Sequence, residues 1–411
     1  MIDINRRRFV QRAVSAAIAA SSLKVFAAQP GSIDTDEGIT FAAGPRPLAR
    51  FPQKRELILV TSRPPHLETP FESFDGNVLT PNDAFYVRYH LAGLPTSIDS
   101  ATYRLAVTGA VKTPLELSLG DLKTLPGQVE VVAVNQCSGN GRGYSNPRVF
   151  GAQLGNGSMG NARWTGVTVK SVLERAGVAA GAVQVAFNGL DKPVLPSTPD
   201  FRKALDIDHA LSGEPLLAWG MNGADLPFLN GYPLKLIVPG YFGTYWVKHL
   251  SDLVVLDKPF AGHDSYFQTI GYRIPDNDCA CVTPGTVPDK LRPIGRLPVR
   301  SFITNVAANT QLPIGKPTEL RGIAFDGGAG IKAVDVSIDG GKSWRAATLG
   351  DDLGRYSFRP WRLPVTFATA GDSVLMVRAA SNSGEVQPAE ATWNPSGYRR
   401  HVIESTPVTI G

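Results

Sequence analysis

Residues 284–300, PGTVPDKLRPIGRLPVR, are rich in proline and basic side chains, and they separate two stretches of different sequence pattern. A chain of 411 residues is too long for one comfortable hydrophobic core. Domain boundaries commonly fall in proline-rich polar segments of this kind. The sequence therefore predicts two domains, over residues 45–290 and residues 298–411.

The stretch after this break has an all-β pattern. In residues 333–344, AVDVSIDGGKSW, Val334, Val336 and Ile338 alternate with polar residues before a turn at two glycines. About seven such strands, separated by turn residues, indicate an immunoglobulin-like β-sandwich.

The stretch before the break alternates strands and short helices at irregular spacing. We predict strands over residues 103–109, 129–136 and 232–240, and helices over residues 118–125 and 167–178, the second ended by Gly177. Because the regular alternation of a doubly wound sheet is missing, we expect an α+β fold.

Residues 155–160, GNGSMG, match the dinucleotide-binding pattern G-x-G-x-x-G. A dinucleotide fold needs a helix directly after this pattern, whereas Trp164, Gly166 and β-branched residues follow it here. The match therefore does not indicate an NAD site.

The N-terminus has the pattern of an export signal. The pair Arg6 and Arg7 precedes an alanine-rich stretch roughly half as long as the ~20 residues that span a membrane. We expect residues 1–27 to be a twin-arginine signal peptide. The protein is then predicted to be periplasmic, with no membrane span, and a disordered basic tail is the alternative. This export route carries folded proteins, often with a cofactor inserted, which favours a cofactor enzyme.

The net charge of +5 falls to +1 without residues 1–27, since 36 basic and 35 acidic side chains remain. A near-neutral chain has no electrostatic footprint for nucleic acid, so no nucleic-acid partner is predicted.

The three cysteines do not suggest a disulfide scaffold. Cys279 and Cys281 are separated by one alanine, and a bridge between them would close a very small ring. We expect these two thiols to be packed or free, with a mutual disulfide as the alternative. The chain has no C-x-x-C-H pattern, so it is not predicted to attach a c-type haem itself.

Cys137 lies where the predicted strand 129–136 opens into the glycine-rich loop SGNGR. Backbone N–H groups and the nearby Arg142 would stabilise its thiolate, which suits a metal ligand or a nucleophile. A small buried core residue is the alternative.

Two further clusters could bind anions. Arg88 and His90 are two residues apart and share one face of an extended segment. Lys235 and Lys248 lie among glycines and aromatic residues in residues 229–253. A solvated strand edge and a plain loop are the respective alternatives.

The segments FYVRYHL, NQCSGNGR, GNARWTGV, FNGLD and GYPLKLIVPGYFGTYWVKHL occur in an order that closely resembles the sulfite oxidase family of molybdenum enzymes. Residues 332–344 and the segment WNPSGY, residues 393–398, resemble the dimerisation domain of that family. The resemblance covers about residues 60–411 and is nearest to the bacterial periplasmic sulfite dehydrogenases.

The resemblance implies a mixed α/β molybdopterin-binding domain followed by the β-sandwich. In the family one cysteine thiolate binds molybdenum beside a single molybdopterin, and Cys137 matches it. Arg88 and Arg142 match the sulfite pocket, and His90 and Tyr272 match residues of the same site. The implied cofactor contacts are Tyr89, His90, Asp191, Asn230, Lys235, Trp246 and Lys248.

The chain departs from the family pattern at several places. Phe267 stands where a tryptophan is usual, and residues 149–154 are apolar where vertebrate relatives carry a lysine and a tryptophan. Asn230 replaces a histidine and Lys235 an arginine. No segment resembles the haem-b domain of animal members, so no haem is expected in this chain.

The resemblance thus implies periplasmic oxidation of sulfite to sulfate by oxygen-atom transfer. The electrons would pass to a cytochrome c or a haem subunit, and the C-terminal domain could form a homodimer. The alternatives are a related molybdoenzyme, such as an oxygen-using sulfite oxidase or a sulfoxide reductase, and a non-catalytic secreted binding protein.

Overall fold

The computed structural model describes residues 46–411, so the predicted signal peptide at residues 1–27 lies outside the described residues. The described chain contains four α-helices, none of them long and apolar enough to cross a lipid bilayer. They are α1 (Leu119–Thr124), α2 (Val169–Ala176), α3 (Ile207–Leu211) and α4 (Tyr266–Thr269).

The first sixteen strands precede or lie within the proline-rich break. They are β1 (Leu48–Arg50), β2 (Glu56–Ser62), β3 (Pro65–Glu68), β4 (Val87–Arg88), β5 (Leu105–Gly109), β6 (Leu115–Leu117), β7 (Gln128–Gln136), β8 (Met159–Thr168), β9 (Gln184–Gly189), β10 (Lys203–Asp206), β11 (Leu216–Met221), β12 (Ala224–Asp225), β13 (Lys235–Ile237), β14 (Leu250–Leu256), β15 (Arg273–Pro275) and β16 (Leu291–Pro293).

These strands form three main sheets. The first has the order β1-β2-β3-β4, the second β10-β9-β14-β5-β6, and the third β12-β11-β8-β7 with β13 added beside β11. Within the second sheet β14 and β5 run parallel, and the other pairs are antiparallel. Such mixed sheets with few helices confirm the predicted α+β class.

Both predicted helices are present, and each has the terminal residues that its sequence indicates. Ser118 and Asp121 form a capping box at the start of α1. Thr168 caps α2, and Gly177 ends it in a left-handed conformation that a side chain would strain. Because β8 continues to Thr168, α2 begins at Val169 rather than at the predicted residue 167.

The predicted strand 129–136 is confirmed as β7, whereas the predicted strand 232–240 is reduced to β13. Pro233 and Pro239 flank β13, and proline has no N–H to donate to a sheet. The ladder therefore covers three residues only.

The remaining strands form the predicted sandwich. They are β17 (Arg300–Ile303), β18 (Thr310–Leu312), β19 (Pro317–Phe325), β20 (Ile331–Ser337), β21 (Arg345–Ala346), β22 (Thr348–Leu349), β23 (Arg359–Thr366), β24 (Gly371–Ser381) and β25 (Glu404–Ile410). One sheet has the order β17-β19-β23-β22 and the other β18-β25-β24-β20-β21. Alternating residues such as Val334 and Val336 fill the space between them.

The proline-rich break is packed rather than free. Its strand β16 pairs with β15, and Ile294 and Leu297 are buried in the larger hydrophobic core. Phe302 and Phe358, from the sandwich strands and the loop before β23, belong to the same core. The C-terminal strands therefore share apolar packing with the sheets that carry Cys137.

Cys279 and Cys281 form a disulfide, contrary to our expectation that they are packed or free. Ala280 between them has a φ of 50°, which turns the chain so that the two Cα atoms lie 5.1 Å apart. This separation lies in the range that disulfides require, so the local turn overcomes the short sequence spacing.

Candidate active site

Strand β7 fixes the position of Cys137. All nine residues of β7 pair with β8, from Gln128 opposite Val167 to Gln136 opposite Met159. The ladder is continued by the Cys137 N–H, which donates to the Ser158 carbonyl at 2.9 Å. The Cys137 carbonyl then accepts from the Asn140 N–H at 3.0 Å. The thiol, half-buried and free, therefore leaves a rigid strand end at a tight turn.

Cys137 lies in a small cavity of about 40 Å³ that most of the predicted site residues share. The predicted residues that line it are Arg88, His90, Cys137, Asn230, Lys235, Trp246, Lys248 and Tyr272. Tyr89, Arg142 and Asp191 do not line it. The structure thus brings eight of the predicted residues together and places three behind the cavity wall.

The cavity wall is cationic. Arg88, Lys235 and Lys248 line it, and no carboxylate lines it among the described residues. Burial lowers the pKa of Lys248 to about 8, against the opposing effect of Asp191. Burial, with Lys248 and Lys54 nearby, holds the pKa of Lys235 well below its usual range. Three buried or half-buried cations on one cavity wall are typical of a site for an anionic ligand.

Aromatic rings support both lysines. The Lys248 ammonium lies 4.1 Å from the Tyr89 ring centroid and donates to the Arg88 carbonyl. The Lys235 ammonium lies 4.6 Å from the Trp164 ring and 5.5 Å from the Trp246 ring. Tyr89 and Trp246, both predicted cofactor contacts, therefore position lysines by cation–π contact.

Asp191 is buried behind this wall. Burial raises its pKa to about 6, while the charge of Lys248 acts in the opposite direction. The carboxylate therefore balances part of the lysine charge without entering the cavity.

The Asn230 side chain is held by the protein. Its Oδ1 accepts from the Lys54 ammonium, and its Nδ2 donates to the Tyr86 carbonyl at 3.0 Å. Lys54 also donates to the carbonyls of Asn82 and Phe85. Lys54 could not be identified from the sequence, since a lysine distant in sequence gives no signal of a buried contact.

His90 lies in an aromatic cage. The Phe201 ring stacks on it at 4.0 Å, and the Phe267 ring lies 5.3 Å away. Burial, followed by the charge of Arg88, holds the pKa of His90 well below its usual range, so the imidazole is neutral. The His90 Nε2 and the Tyr272 hydroxyl share a hydrogen bond.

Tyr272 reaches the site from a strained backbone position. Its φ of 57° lies in the left-handed region, which a tyrosine rarely adopts and which often marks functional sites. The Tyr398 ring stacks on the Tyr272 ring at 5.3 Å. The WNPSGY segment, read in the sequence only as part of the C-terminal domain, thus contributes a residue to the site.

Arg142 lies on the far side of Tyr398, with its guanidinium 5.0 Å from that ring. Its Nε donates to the Ser396 carbonyl at 2.8 Å, and its Nη1 donates to the Ala152 carbonyl at 3.3 Å. A Cβ added at Gly139 would lie 2.8 Å from this guanidinium. Arg142 therefore ties the cysteine loop to the C-terminal segment, which differs from the predicted place in the anion pocket.

The wall also presents groups without partners. The hydroxyl oxygens of Ser138 and Thr244 are fully buried, line the cavity, and have no hydrogen-bond partner among the described residues. Beside Thr244, a Cβ added at Gly243 would lie 2.4 Å from the Asn135 Oδ1, so only glycine fits. Buried orphan hydroxyls, buried cations and one free thiol together fit a polar, anionic group that brings a metal to the sulfur.

Two family models match the chain. Residues 91–264 match the oxidoreductase molybdopterin binding domain, and residues 292–402 match the Mo-co oxidoreductase dimerisation domain.

Similar proteins of known name agree with these matches. The sulfite oxidase of Gallus gallus is 32% identical over 383 residues, which cover 89% of this chain and 81% of that protein. The mitochondrial sulfite oxidase of Homo sapiens is 32% identical over 87% of this chain and 68% of its own length. The crystal structure of the sulfane dehydrogenase SoxCD from Paracoccus pantotrophus matches with a TM-score of 0.72 at 25% identity, covering 86% of this chain and 87% of that one.

Proposed function

Because the chain belongs to the sulfite oxidase family of molybdenum enzymes, we propose that it oxidises sulfite to sulfate and passes the electrons to a separate cytochrome c. The observation that carries the proposal is the free thiol of Cys137 in a buried cavity whose wall holds Arg88, Lys235 and Lys248. A thiolate can hold molybdenum, and the cations can hold a pterin phosphate and an oxyanion substrate.

Cys137 would supply the protein's ligand to the metal. Lys235 and Lys248 would bind the anionic part of a single molybdopterin, and the Ser138 and Thr244 hydroxyls would hydrogen-bond its polar edges. Asn230, fixed by Lys54, and Asp191, behind Lys248, would support that wall. When bound, the cofactor supplies the two-electron redox centre and the oxygen-atom transfer.

The substrate end of the cavity would be formed by Arg88, His90 and Tyr272. The Arg88 guanidinium can hold two oxygens of a sulfite dianion at once. Neutral His90 would add no charge to the pocket but could hydrogen-bond the substrate, and the Tyr272 hydroxyl would orient the imidazole. Arg142 adds positive charge near the two tyrosines, and its bonds to Ser396 and Ala152 favour the role of an anchor.

A second candidate substrate is a sulfane sulfur compound. The match to a sulfane dehydrogenase covers most of both chains, and its TM-score indicates the same arrangement of elements. In residues 149–154 an apolar sequence replaces the lysine and tryptophan expected in vertebrate relatives, which would suit a less charged substrate.

We further propose that the protein is exported to the periplasm by the twin-arginine route. This proposal rests on Arg6 and Arg7, which lie outside the described residues. A homodimer through the sandwich is supported by the match of residues 292–402 to a dimerisation domain.

The test is to purify the full chain and measure molybdenum by elemental analysis and pterin by fluorescence, and then to assay sulfite oxidation. We expect equimolar molybdenum and pterin, and sulfite-dependent reduction of cytochrome c. Cys137→Ser, which replaces a soft ligand by a hard one of similar volume, should lose activity by orders of magnitude with an unchanged circular dichroism spectrum. Folded metal-free protein, or full activity in the serine variant, would reject the proposal.

A further inference from the structure

Lys203 is a buried cation that the predicted site did not include. It is the first residue of β10, and its side chain is 1% exposed. Its ammonium donates to the Phe267 carbonyl at 2.6 Å, and it lies 4.5 Å from the Tyr245 ring and 5.3 Å from the Tyr272 ring. Among residues 46–411 no carboxylate forms an ion pair with it.

A buried ammonium without a counter-ion is costly to the folded state. Burial alone lowers the pKa of Lys203 to about 7, and no neighbouring charge contributes to this shift. A methionine of similar shape would fill the same space without that cost. The retained cation therefore calls for a role other than packing.

Lys203 links the two aromatic residues, Phe201 and Phe267, that pack against His90. Phe201, two residues before Lys203, stacks on His90, and Phe267 accepts the ammonium hydrogen bond while its ring faces His90. The chain from Phe267 leads through the end of α4 to Tyr272. One ammonium thus fixes the segment that delivers the Tyr272 hydroxyl to His90.

We propose that Lys203 is a positioning residue for sulfite oxidation: its cation holds the segment 267–272 and the Tyr272 ring in place against His90. The cationic form is the effective one, since an ammonium is attracted to ring faces and bonds more strongly to a carbonyl than a neutral amine does. The proposal rests on the proposed function of the site.

The titratable side chains against the Lys203 ammonium are Tyr245 and Tyr272, and His90 lies within range of its charge. Around His90 the other charged groups are Arg88 and Lys248, with His66 beyond them. Because burial lowers the pKa of Lys203 to about 7, turnover should fall as the pH rises through that value.

The experiment compares Lys203→Met and Lys203→Arg with the wild-type holoenzyme. For each protein the molybdenum content, the melting temperature at pH 6 and pH 9, and the pH profiles of kcat and of KM for sulfite are measured. Lys54→Met is the matched control, since Lys54 is also buried but holds Asn230 and two carbonyls through three hydrogen bonds.

We expect Lys203→Met to load molybdenum normally and to lose at least tenfold in kcat, with a smaller change in KM. At pH 6 the melting temperature of Lys203→Met should equal or exceed that of the wild type, because the variant buries no charge. This difference in melting temperature should become smaller at pH 9, where Lys203 of the folded wild type is largely neutral. The fall of kcat above about pH 7, which we call the alkaline limb, should disappear in both variants, since methionine does not titrate and arginine stays charged. Lys54→Met should instead lose stability and molybdenum together and keep that limb.

The inference would be overturned by wild-type kcat in Lys203→Met. A parallel decrease in melting temperature, molybdenum content and activity in that variant would also overturn it, since Lys203 would then be needed only for the stability of the fold. If the wild-type holoenzyme itself does not oxidise sulfite, the proposed function fails first, and the two failures are thereby distinguished.

Discussion

Arg88 and Arg142 have the same side chain but different surroundings, and this difference gives separate predictions for their variants. Arg88 lines the cavity beside Cys137. Removing its charge by Arg88→Gln should weaken transition-state binding by roughly 2–5 kcal/mol, seen as a raised KM for sulfite and weaker sulfate inhibition at normal molybdenum content.

Arg142→Gln should behave differently, because it removes the bonds to the Ser396 and Ala152 carbonyls. We expect molybdenum content and activity to fall in parallel, with an unchanged KM in the fraction that is still loaded. Steady-state kinetics with metal analysis on both variants separates the two roles. A strongly raised KM at full loading in Arg142→Gln would return Arg142 to the anion pocket.

The sequence could predict individual residues that line the site, but not the residues that hold them in position. Cys137, Arg88 and Lys248 stand in segments whose order matches a family, so their positions could be anticipated. Lys54, Lys203 and Tyr398 reach the site only through contacts between residues distant in sequence. No local pattern marks a lysine that will be buried.

One carboxylate, that of Glu214, connects three elements of the fold. These are α3, the proline-rich break and the loop before β23. Glu214, just after α3, accepts from His209 at 2.6 Å and from Arg296 at 3.0 Å, and also from the Tyr356 hydroxyl. The Tyr356 carbonyl accepts from the Val134 N–H of β7 at 2.9 Å. The loop before β23 therefore covers the outer edge of the strand that carries Cys137.

We expect Glu214→Gln to lower the free energy of unfolding by about 1–3 kcal/mol, because it weakens the hydrogen bonds from His209, Arg296 and Tyr356 at once. Partial burial alone would raise the pKa of Glu214, but the bonds from His209 and Tyr356 and the charge of Arg296 lower it to about 2. This stabilisation is present above pH 4.5 and is lost as the pH falls from about 4.5 towards 2.

Denaturant unfolding at pH 7 and at pH 3 measures this difference. Glu130→Gln is the control, since Glu130 pairs with Arg163 on the exposed face of β7 and β8 and should contribute at most about 1 kcal/mol. Equal effects of the two variants at pH 7 would contradict the assigned role of Glu214.

The elements with strong local signals were the ones that the sequence predicted. The helix α1 has a capping box, α2 ends at a glycine, and β7 is a run of β-branched residues, so each was predicted to within about two residues. The short β13 and the turn that bridges Cys279 and Cys281 depend on neighbouring prolines and on one backbone dihedral. Hydrophobic periodicity does not carry that information.

In the molecule as a whole, the change of pattern at residues 284–300 predicted an α+β part and a sandwich, and both are present. It did not predict that Ile294 and Leu297 are buried, or that Tyr398 would enter the site from beyond the break. A site assembled from both sides of the break makes the sandwich part of the catalytic unit, because it holds one ring against Tyr272 and one loop against Arg142.

The electron acceptor is the last part of the proposed function that can be tested on the whole protein. Sulfite oxidation releases two electrons, and the sequence has no C-x-x-C-H pattern to attach a c-type haem. If the proposed cytochrome c is the acceptor, the purified holoenzyme with sulfite should reduce added cytochrome c much faster than it consumes oxygen. Haem absorbance and an oxygen electrode, read on the same sample, measure the two rates, and ferricyanide provides a control for the sulfite half-reaction. Oxygen consumption equal to sulfite loss, with no effect of added cytochrome, would instead identify an oxygen-using oxidase.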